Sequence, residues 1–254
     1  MRLLVPSLAA FTLSFALTAR ADERALFSLD LSAANDARVR YGLVRAVLEG
    51  ERRLVVETHD VSPALVTLID GFVRGQAIRR DVRLTSGAVL RKTDGARLAA
   101  LRLPAIGSGG AADVELAFTM PVPLTTHPQL STKEAAAPPA GARISAFRIE
   151  VSGMTAIEAP KLDAIVVTQK PDGSATAGDV AFEVAAGGAP PFVAWQKANA
   201  AKPAPRALRV EYVGADGLAI VKLRLDRCTP SRVLPLGASG TTRITLTCGA
   251  VRND

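Results

Sequence analysis

The sequence predicts a mostly β protein made of two tandem small β-barrel or β-sandwich modules, each with one short helix. Two observations lead to this prediction. Apolar residues occupy every second position in residues 27–31 and again in residues 147–151, which is the pattern of a strand with one face on a core. Residues 216–248 also align without a gap on residues 86–118. The constant register predicts one structural unit used twice.

The alignment superimposes apolar residues and glycines along its whole length. The superimposed pairs include Leu103 with Val233, Ile106 with Leu236, Gly107 with Gly237, Gly110 with Gly240, and Val114 with Ile244. A second ungapped alignment places residues 54–72 over residues 180–198. Both halves are therefore expected to contain a strand, a short helix, a strand and a long hairpin, in that order.

In the first half, residues 54–58 are rich in β-branched side chains and predict a strand. Ser62 and Pro63 then open a short helix, because a serine oxygen accepts hydrogen bonds from first-turn amides and proline is tolerated in that turn. Further strands are predicted at residues 81–85, 96–103 and 114–118.

In the second half, strands are predicted at residues 162–168 and 179–184, with a Pro-Asp-Gly-Ser turn between them at residues 171–174. A pair of prolines then opens one short amphipathic helix. Its apolar side carries Phe192 and Trp195, which we expect to be core residues, because an aromatic on that side of a lone helix usually packs inward.

Composition divides the chain of 254 residues into four parts. Residues 1–21 combine a basic start, an apolar run and small residues before Asp22, which predicts a secretory signal peptide. An uncleaved membrane anchor is the alternative, and the short apolar run weighs against it. The proline-rich residues 122–142 predict a linker between a first module at residues 22–121 and a second at residues 143–254. We expect a periplasmic or secreted protein with no membrane insertion after signal cleavage.

The formal net charge is +7, but the basic residues are interleaved with acidic ones and form no dense run. Nucleic-acid partners usually require charge concentrated on one face. The sequence therefore predicts no nucleic-acid partner.

The two cysteines, Cys228 and Cys248, are equally distant from Ala238 at the centre of the final hairpin loop. Antiparallel pairing would set them nearly opposite each other, close enough for a disulfide. In an exported chain this bridge is favoured over two free thiols. The alternation of the strand requires a bulge near residues 227–230 to bring Cys228 inward, and Pro230 favours one.

Several segments of the second half carry a resemblance to a known family. They are residues 147–153, 179–184, 192–195, 217–233 and 238–248, and the first half matches at residues 65–72 and 96–118. This series resembles the tail-tube proteins of contractile phages and the related tube protein of type VI secretion. Trp195, Phe192, Pro230, Gly237 and Gly240 are the structural residues that carry the resemblance in the second half.

The resemblance implies a small β-barrel or sandwich whose family members pair sheets edge to edge in six-membered rings. A chain with two such modules would close a pseudo-sixfold ring from three copies. Self-association is therefore the partner that the resemblance implies, and an envelope protein is the alternative partner.

Catalytic chemistry is not indicated by any motif. The only histidines are His59 and His127, and no nucleophile, metal-ligand or phosphate-loop spacing accompanies them. Residues 107–110 are glycine-rich, but their place between two strands favours a hairpin turn over a phosphate cradle. We expect no catalytic residue, no cofactor and no metal.

Three hypotheses for the function follow. The first is a non-enzymatic assembly protein that self-associates through open sheet edges such as residues 208–213 or 147–151. The second is an envelope binding module that holds an anionic polymer or a partner protein with loops and scattered arginines. The third is an enzyme that depends on His59.

Overall fold

The computed structural model describes residues 27–32, 39–59, 61–86, 89–107, 112–128, 141–154, 157–237 and 240–252. The predicted signal peptide, residues 1–21, and residues 129–140 of the predicted linker lie outside the described residues. The described chain consists mostly of strands arranged in two sheets, with two α-helices, so the mostly β prediction is confirmed.

The described residues of the first half form eight strands and one helix. They are β1 (Phe27–Ser32), β2 (Val39–Gly42), β3 (Arg45–Glu49), β4 (Arg53–Thr58), α1 (Pro63–Val73), β5 (Arg79–Ser86), β6 (Val89–Leu103), β7 (Val114–Thr119) and β8 (Thr125–Pro128). The last of these lies within the predicted linker and pairs with the start of β6.

In the part of the second half that the structure describes, there are nine strands, a 3-10 turn and one helix. They are β9 (Ile144–Val151), β10 (Lys161–Leu162), β11 (Ile165–Gln169), β12 (Ala175–Ala177), β13 (Val180–Ala185), the 3-10 turn (Ala186–Gly188), α2 (Pro190–Ala201), β14 (Arg206–Gly214), β15 (Ala219–Leu236), β16 (Thr241–Thr247) and β17 (Ala250–Arg252).

The two halves repeat one strand order. The first sheet runs β2-β1-β5-β6-β7-β4-β3, and the second, read from its β9 end, runs β9-β14-β15-β16-β13-β10. Each helix lies between equivalent strands, α1 between β4 and β5 and α2 between β13 and β14. In the described residues, neither order closes into a barrel.

The register of the two long hairpins also repeats. Arg102 pairs with Glu115 in the first hairpin, and Arg232 pairs with Thr245 in the second. These positions coincide in the ungapped alignment of residues 86–118 with residues 216–248. The internal repeat seen in the sequence is therefore present as repeated strand pairing.

The halves do not separate into two sheets at the predicted boundary. β11 and β12 come from the second half but belong to the first-half sheet, where β11 pairs with β6. The buried apolar residues of both halves also form one continuous cluster. The prediction of two modules is therefore not confirmed, because the two halves share one sheet and one core.

The helices show why these residues fold locally as they do. Ser62 is the N-cap of α1, and its Oγ accepts a hydrogen bond from the Leu65 amide at 3.2 Å, as predicted. The helix then buries Leu65, Leu68, Ile69 and Phe72 on one side. The second helix is richer in alanine and polar residues, and it buries only Phe192 and Trp195.

Candidate functional site

The two halves are joined by strand addition. β11 runs antiparallel to the end of β6, with Ile165 opposite Leu103 and Thr168 opposite Ala100. The same register continues to Leu162 and Ile106, whose backbones exchange hydrogen bonds of 2.8 and 2.9 Å. We call this contact, between residues 162–168 and residues 100–106, the joint.

The centre of the joint is apolar and buried. Leu101 and Leu103 on β6, and Ile165 and Val167 on β11, are all fully buried. Full burial of such side chains stabilises a fold by about 1.5–3 kcal/mol each. The halves are therefore held together by packing as well as by the chain between them.

Two polar side chains, one from each half, fix the end of β11. The Gln169 amide donates a hydrogen bond to the Gln76 carbonyl oxygen at 2.9 Å. Arg97 donates to the Lys170 carbonyl oxygen, also at 2.9 Å. Both bonds link residues far apart in sequence, so they specify where the β11–β12 hairpin lies on the first sheet.

Glycines allow close backbone contact beside the joint. Gly107 has a φ of +85°, and a Cβ there would lie 2.2 Å from the Pro160 carbonyl oxygen. Gly75 has a φ of +82°, and its Cβ would lie 2.7 Å from the carbonyl oxygen of Gly173. Both positions require glycine because neither the space nor the backbone conformation suits a side chain. Residues 108–110 of the predicted glycine-rich turn lie outside the described residues.

The end of β15 is the counterpart of the end of β6, and it lies at an open edge. β14 pairs with β15 only as far as Cys228, and within the described residues the only strand paired with residues 231–235 is β16. Leu234 is 38% exposed, whereas Pro104, its equivalent beside the joint, is buried. In the second half, the strand equivalent to β6 thus has no strand added at this edge among the described residues.

The strand pairing shows which of the predicted strand edges are open. β14 pairs with β15 on one side and β9 on the other, so the prediction of an open edge at residues 208–213 is wrong. The alternation of that segment shows which face is buried, but it does not reveal how many neighbours the strand has. β9, which contains residues 147–151, does lie at the end of the second sheet. β3 lies at an end of the first sheet.

The two cysteines form a disulfide, as predicted. The Cα atoms of Cys228 and Cys248 are 3.9 Å apart. The predicted bulge is also present, because Arg206 faces Cys228 while Leu208 faces Leu225, which leaves an extra residue on β15. The bridge occupies the place that Leu98 and Phe118, a cross-strand pair, take in the first hairpin.

The aromatic residues of α2 are buried. Trp195 is 2% exposed, and its Nε1 donates a hydrogen bond to the Ala204 carbonyl oxygen at 2.8 Å. Phe192 packs edge to face against Phe182, with ring centroids 5.6 Å apart. The guanidinium of Arg206 lies over the Trp195 ring at 5.2 Å. Phe192 and Trp195 therefore anchor α2 to the second sheet, in agreement with the prediction that both are core residues.

The remaining predicted structural residues lie along the last hairpin. Pro230 is buried opposite Leu246, and the register shifts by one residue just after it. Gly240 has a φ of +64°, which suits a turn, whereas Gly237 is exposed and an added Cβ would meet nothing within 4 Å.

An arginine-lined groove lies beside the disulfide. It is lined by Pro205, Arg206, Ala207, Asp226, Arg227, Ala250 and Arg252. Asp226 is ion-paired with Arg224 at 3.2 Å and with Arg252 at 3.1 Å. The lining holds three arginines and one carboxylate, so the groove is positively charged and suits an anionic group. In the sequence these arginines are scattered and do not reveal a cluster, because the bulge in β15 lies where its members come together.

Titratable pairs elsewhere are mostly cross-strand ion pairs. Lys161 donates a hydrogen bond to Glu183 at 3.0 Å, and this bond is the main reason that the pKa of Glu183 is lowered. His59 lies 3.0 Å from Asp113, while the side chain of His127 is outside the described residues. Within the described ranges, no group of three metal-binding side chains converges, and no helix is long and apolar enough to cross a membrane.

Comparison with known proteins adds no family to these observations. No protein-family model matches the chain, and a search of curated proteins finds no significant match.

Proposed function

We propose that the protein is an exported, non-enzymatic structural protein that assembles with copies of itself by strand addition, as the tail-tube proteins that its sequence resembles do. The joint is the observation that supports this proposal. In it, the end of a long hairpin strand accepts a strand from the other half through backbone hydrogen bonds. Strand addition of this kind needs a free edge more than a particular side chain.

The repeated topology makes assembly between copies a natural extension of the joint. Each chain has one accepting strand end that is occupied, on β6, and an equivalent one on β15 without an added strand among the described residues. A contact between unlike surfaces of identical copies either closes into a ring or continues as a filament. Three copies would supply six units to a closed ring.

Absolute mass tests the proposal. Residues 22–254 are purified, measured by light scattering on a sizing column, and the same peak is imaged by negative stain. We expect a trimer with a hollow ring. A single monomeric species at micromolar concentration would contradict self-assembly.

Export is tested separately. The proposal expects a signal peptide at residues 1–21 and therefore a periplasmic or secreted protein that begins at Asp22. Mass spectrometry of the protein recovered from the periplasmic or culture fraction should show that N-terminus. Recovery of the uncut chain with the membrane fraction would contradict export as a soluble protein.

The second candidate function is an envelope binding module, and the arginine-lined groove favours it. An anionic polymer or the acidic surface of a partner protein would bind there through Arg227 and Arg252. Retention on an anionic heparin-type matrix should then fall with salt and should weaken in an Arg227→Ala, Arg252→Ala variant. An Arg52→Ala, Arg79→Ala variant, which removes the same charge at exposed positions outside the groove, is the control. Equal loss in both variants would mean that binding depends on general charge and not on the groove.

A further inference from the structure

The segment that the second half adds to β6 at the joint has a counterpart in the first half, which is β3. In β10, Lys161 pairs with Glu183, and in β3, Arg45 pairs with Glu57. The two glutamates coincide in the ungapped alignment of residues 54–72 with residues 180–198. Both pairs are ion-paired, at 3.0 and 2.9 Å respectively. Arg45 is therefore the structural equivalent of Lys161, and Ala46 that of Leu162.

The end of β6, to which that segment is added, has a counterpart in the second half, which is the end of β15. The ungapped alignment of the long hairpins makes Leu236 the equivalent of Ile106 and Val233 that of Leu103. The repeated pairing of Arg102 with Glu115 and of Arg232 with Thr245 confirms this equivalence. The end of β15 is thus the second copy of the strand end that accepts β11 in the joint.

We propose that β3 of one copy adds to the end of β15 of a second copy, in the register of the joint, with Leu48 opposite Leu234. This inference rests on the proposed self-assembly and specifies its contact. Within a chain, Ile165 lies opposite Leu103, and counting on from Lys161 and Arg45 makes Glu49 the equivalent of Ile165. The equivalent contact therefore sets Glu49 opposite Val233, and at the next position of the antiparallel pair Leu48 meets Leu234.

The exposure of these side chains supports the register. Leu48 and Leu234 are each 38% exposed, and the register places these two large apolar side chains opposite each other. Such a cross-strand apolar pair contributes about 0.2–1 kcal/mol beyond the backbone bonds. Within the described residues, β4 is the only strand that pairs with β3, so the other edge of β3 has no neighbouring strand there.

A proline in the accepting strand is compatible with this contact. Pro235 lies in the proposed acceptor, but Pro104 lies in the equivalent stretch of the joint, between Leu103 and Ile106. Those two neighbours still pair with Ile165 and Leu162. One missing amide donor therefore does not prevent strand addition at this site.

A cysteine mixing experiment tests the register. Leu48→Cys and Leu234→Cys are made as separate variants, mixed in equal amounts and oxidised mildly. We expect a covalent dimer in the mixture and none in either variant alone, since the register brings residue 48 of one copy to residue 234 of another. A mixture of Leu48→Cys with Leu218→Cys is the control, because Leu218 is 67% exposed in the turn before β15 and outside the contact.

The outcomes separate this inference from the proposed function. Assembly by light scattering together with the specific dimer supports both. Assembly without the dimer overturns the β3–β15 contact and leaves self-assembly standing. A monomer without the dimer overturns both.

Charge substitutions give an independent test. Leu48→Arg or Leu234→Arg should abolish the assembled peak without changing the thermal midpoint of the monomer, because both side chains are partly exposed. Val193→Arg is the matched control, since Val193 is 37% exposed and belongs to α2 and to neither β3 nor β15. Retention of the full assembled mass by Leu48→Arg would overturn the proposed contact.

Discussion

Tyr212 is the largest fully buried side chain, and its hydroxyl has no hydrogen-bond partner among the described residues. Burial raises the pKa of Tyr212 well above its usual value, because the phenolate would be far from water. A buried polar group without a partner costs about 1–3 kcal/mol. The Tyr212 hydroxyl is therefore a local weakness in the core.

Replacement of that hydroxyl should stabilise the protein. We expect Tyr212→Phe to raise the free energy of unfolding by about 1 kcal/mol at pH 7, measured by urea denaturation. A loss of more than about 1 kcal/mol would instead mean that the hydroxyl makes a stabilising hydrogen bond.

The same variant has a defined pH dependence. A pKa raised in the folded state means that the unfolded state releases its proton first, so wild-type stability falls as the pH rises above about 10, the ordinary tyrosine pKa. Tyr212→Phe should lose less stability between pH 9 and pH 10.5. Part of the alkaline loss should remain, because burial also raises the pKa of Tyr41, to about 12.

The disulfide between Cys228 and Cys248 is the second feature at the residue scale that affects the stability of the protein. It closes a loop with a sequence separation of 20 residues, for which the chain-entropy account predicts a contribution of about 3 kcal/mol. We expect reductant to lower the urea midpoint of the wild type and to leave a Cys228→Ala, Cys248→Ala variant unchanged. Thiol titration of the denatured protein should detect no thiol before reduction and two after it.

At the scale of elements, the joint depends on the turn that follows β6. A side chain at Gly107 would meet the Pro160 carbonyl oxygen and would have to adopt a φ of +85°. We expect Gly107→Ala to lower the free energy of unfolding by about 1–3 kcal/mol, as overpacking and strained backbone typically do. Thermal and urea denaturation would measure the loss.

The repeat provides a matched control for this variant. Gly237 is the equivalent of Gly107 in the second hairpin, and an added Cβ there would meet nothing within 4 Å. Gly237→Ala should therefore be within about 0.5 kcal/mol of the wild type. Equal losses in both variants would mean that the glycines act through the hairpin turns and not through the joint.

At the scale of the whole molecule, the shared core predicts cooperative unfolding. The buried cluster runs through both halves, and β11 belongs to the first-half sheet. Neither half can unfold without exposing apolar side chains of the other. We expect one calorimetric transition whose measured enthalpy equals the van't Hoff enthalpy. Two resolved transitions would show that the halves are energetically independent.

Much of this architecture could be predicted from the sequence. Alternating apolar residues identify the strands, Ser62 and Pro63 mark the start of α1, and the spacing of Cys228 and Cys248 about their loop predicts the disulfide. The ungapped alignments predict the repeated strand order. These features depend on local periodicity and spacing, which the sequence carries directly.

The joint and the edges were decided only by the tertiary structure. Nothing in residues 162–168 indicates that they pair with β6, and the alternation of residues 208–213 does not reveal that β14 is paired on both sides. The reason is physical. Side-chain periodicity determines which face of a strand is buried, whereas strand neighbours are joined by backbone amides and carbonyls, which nearly every residue shares.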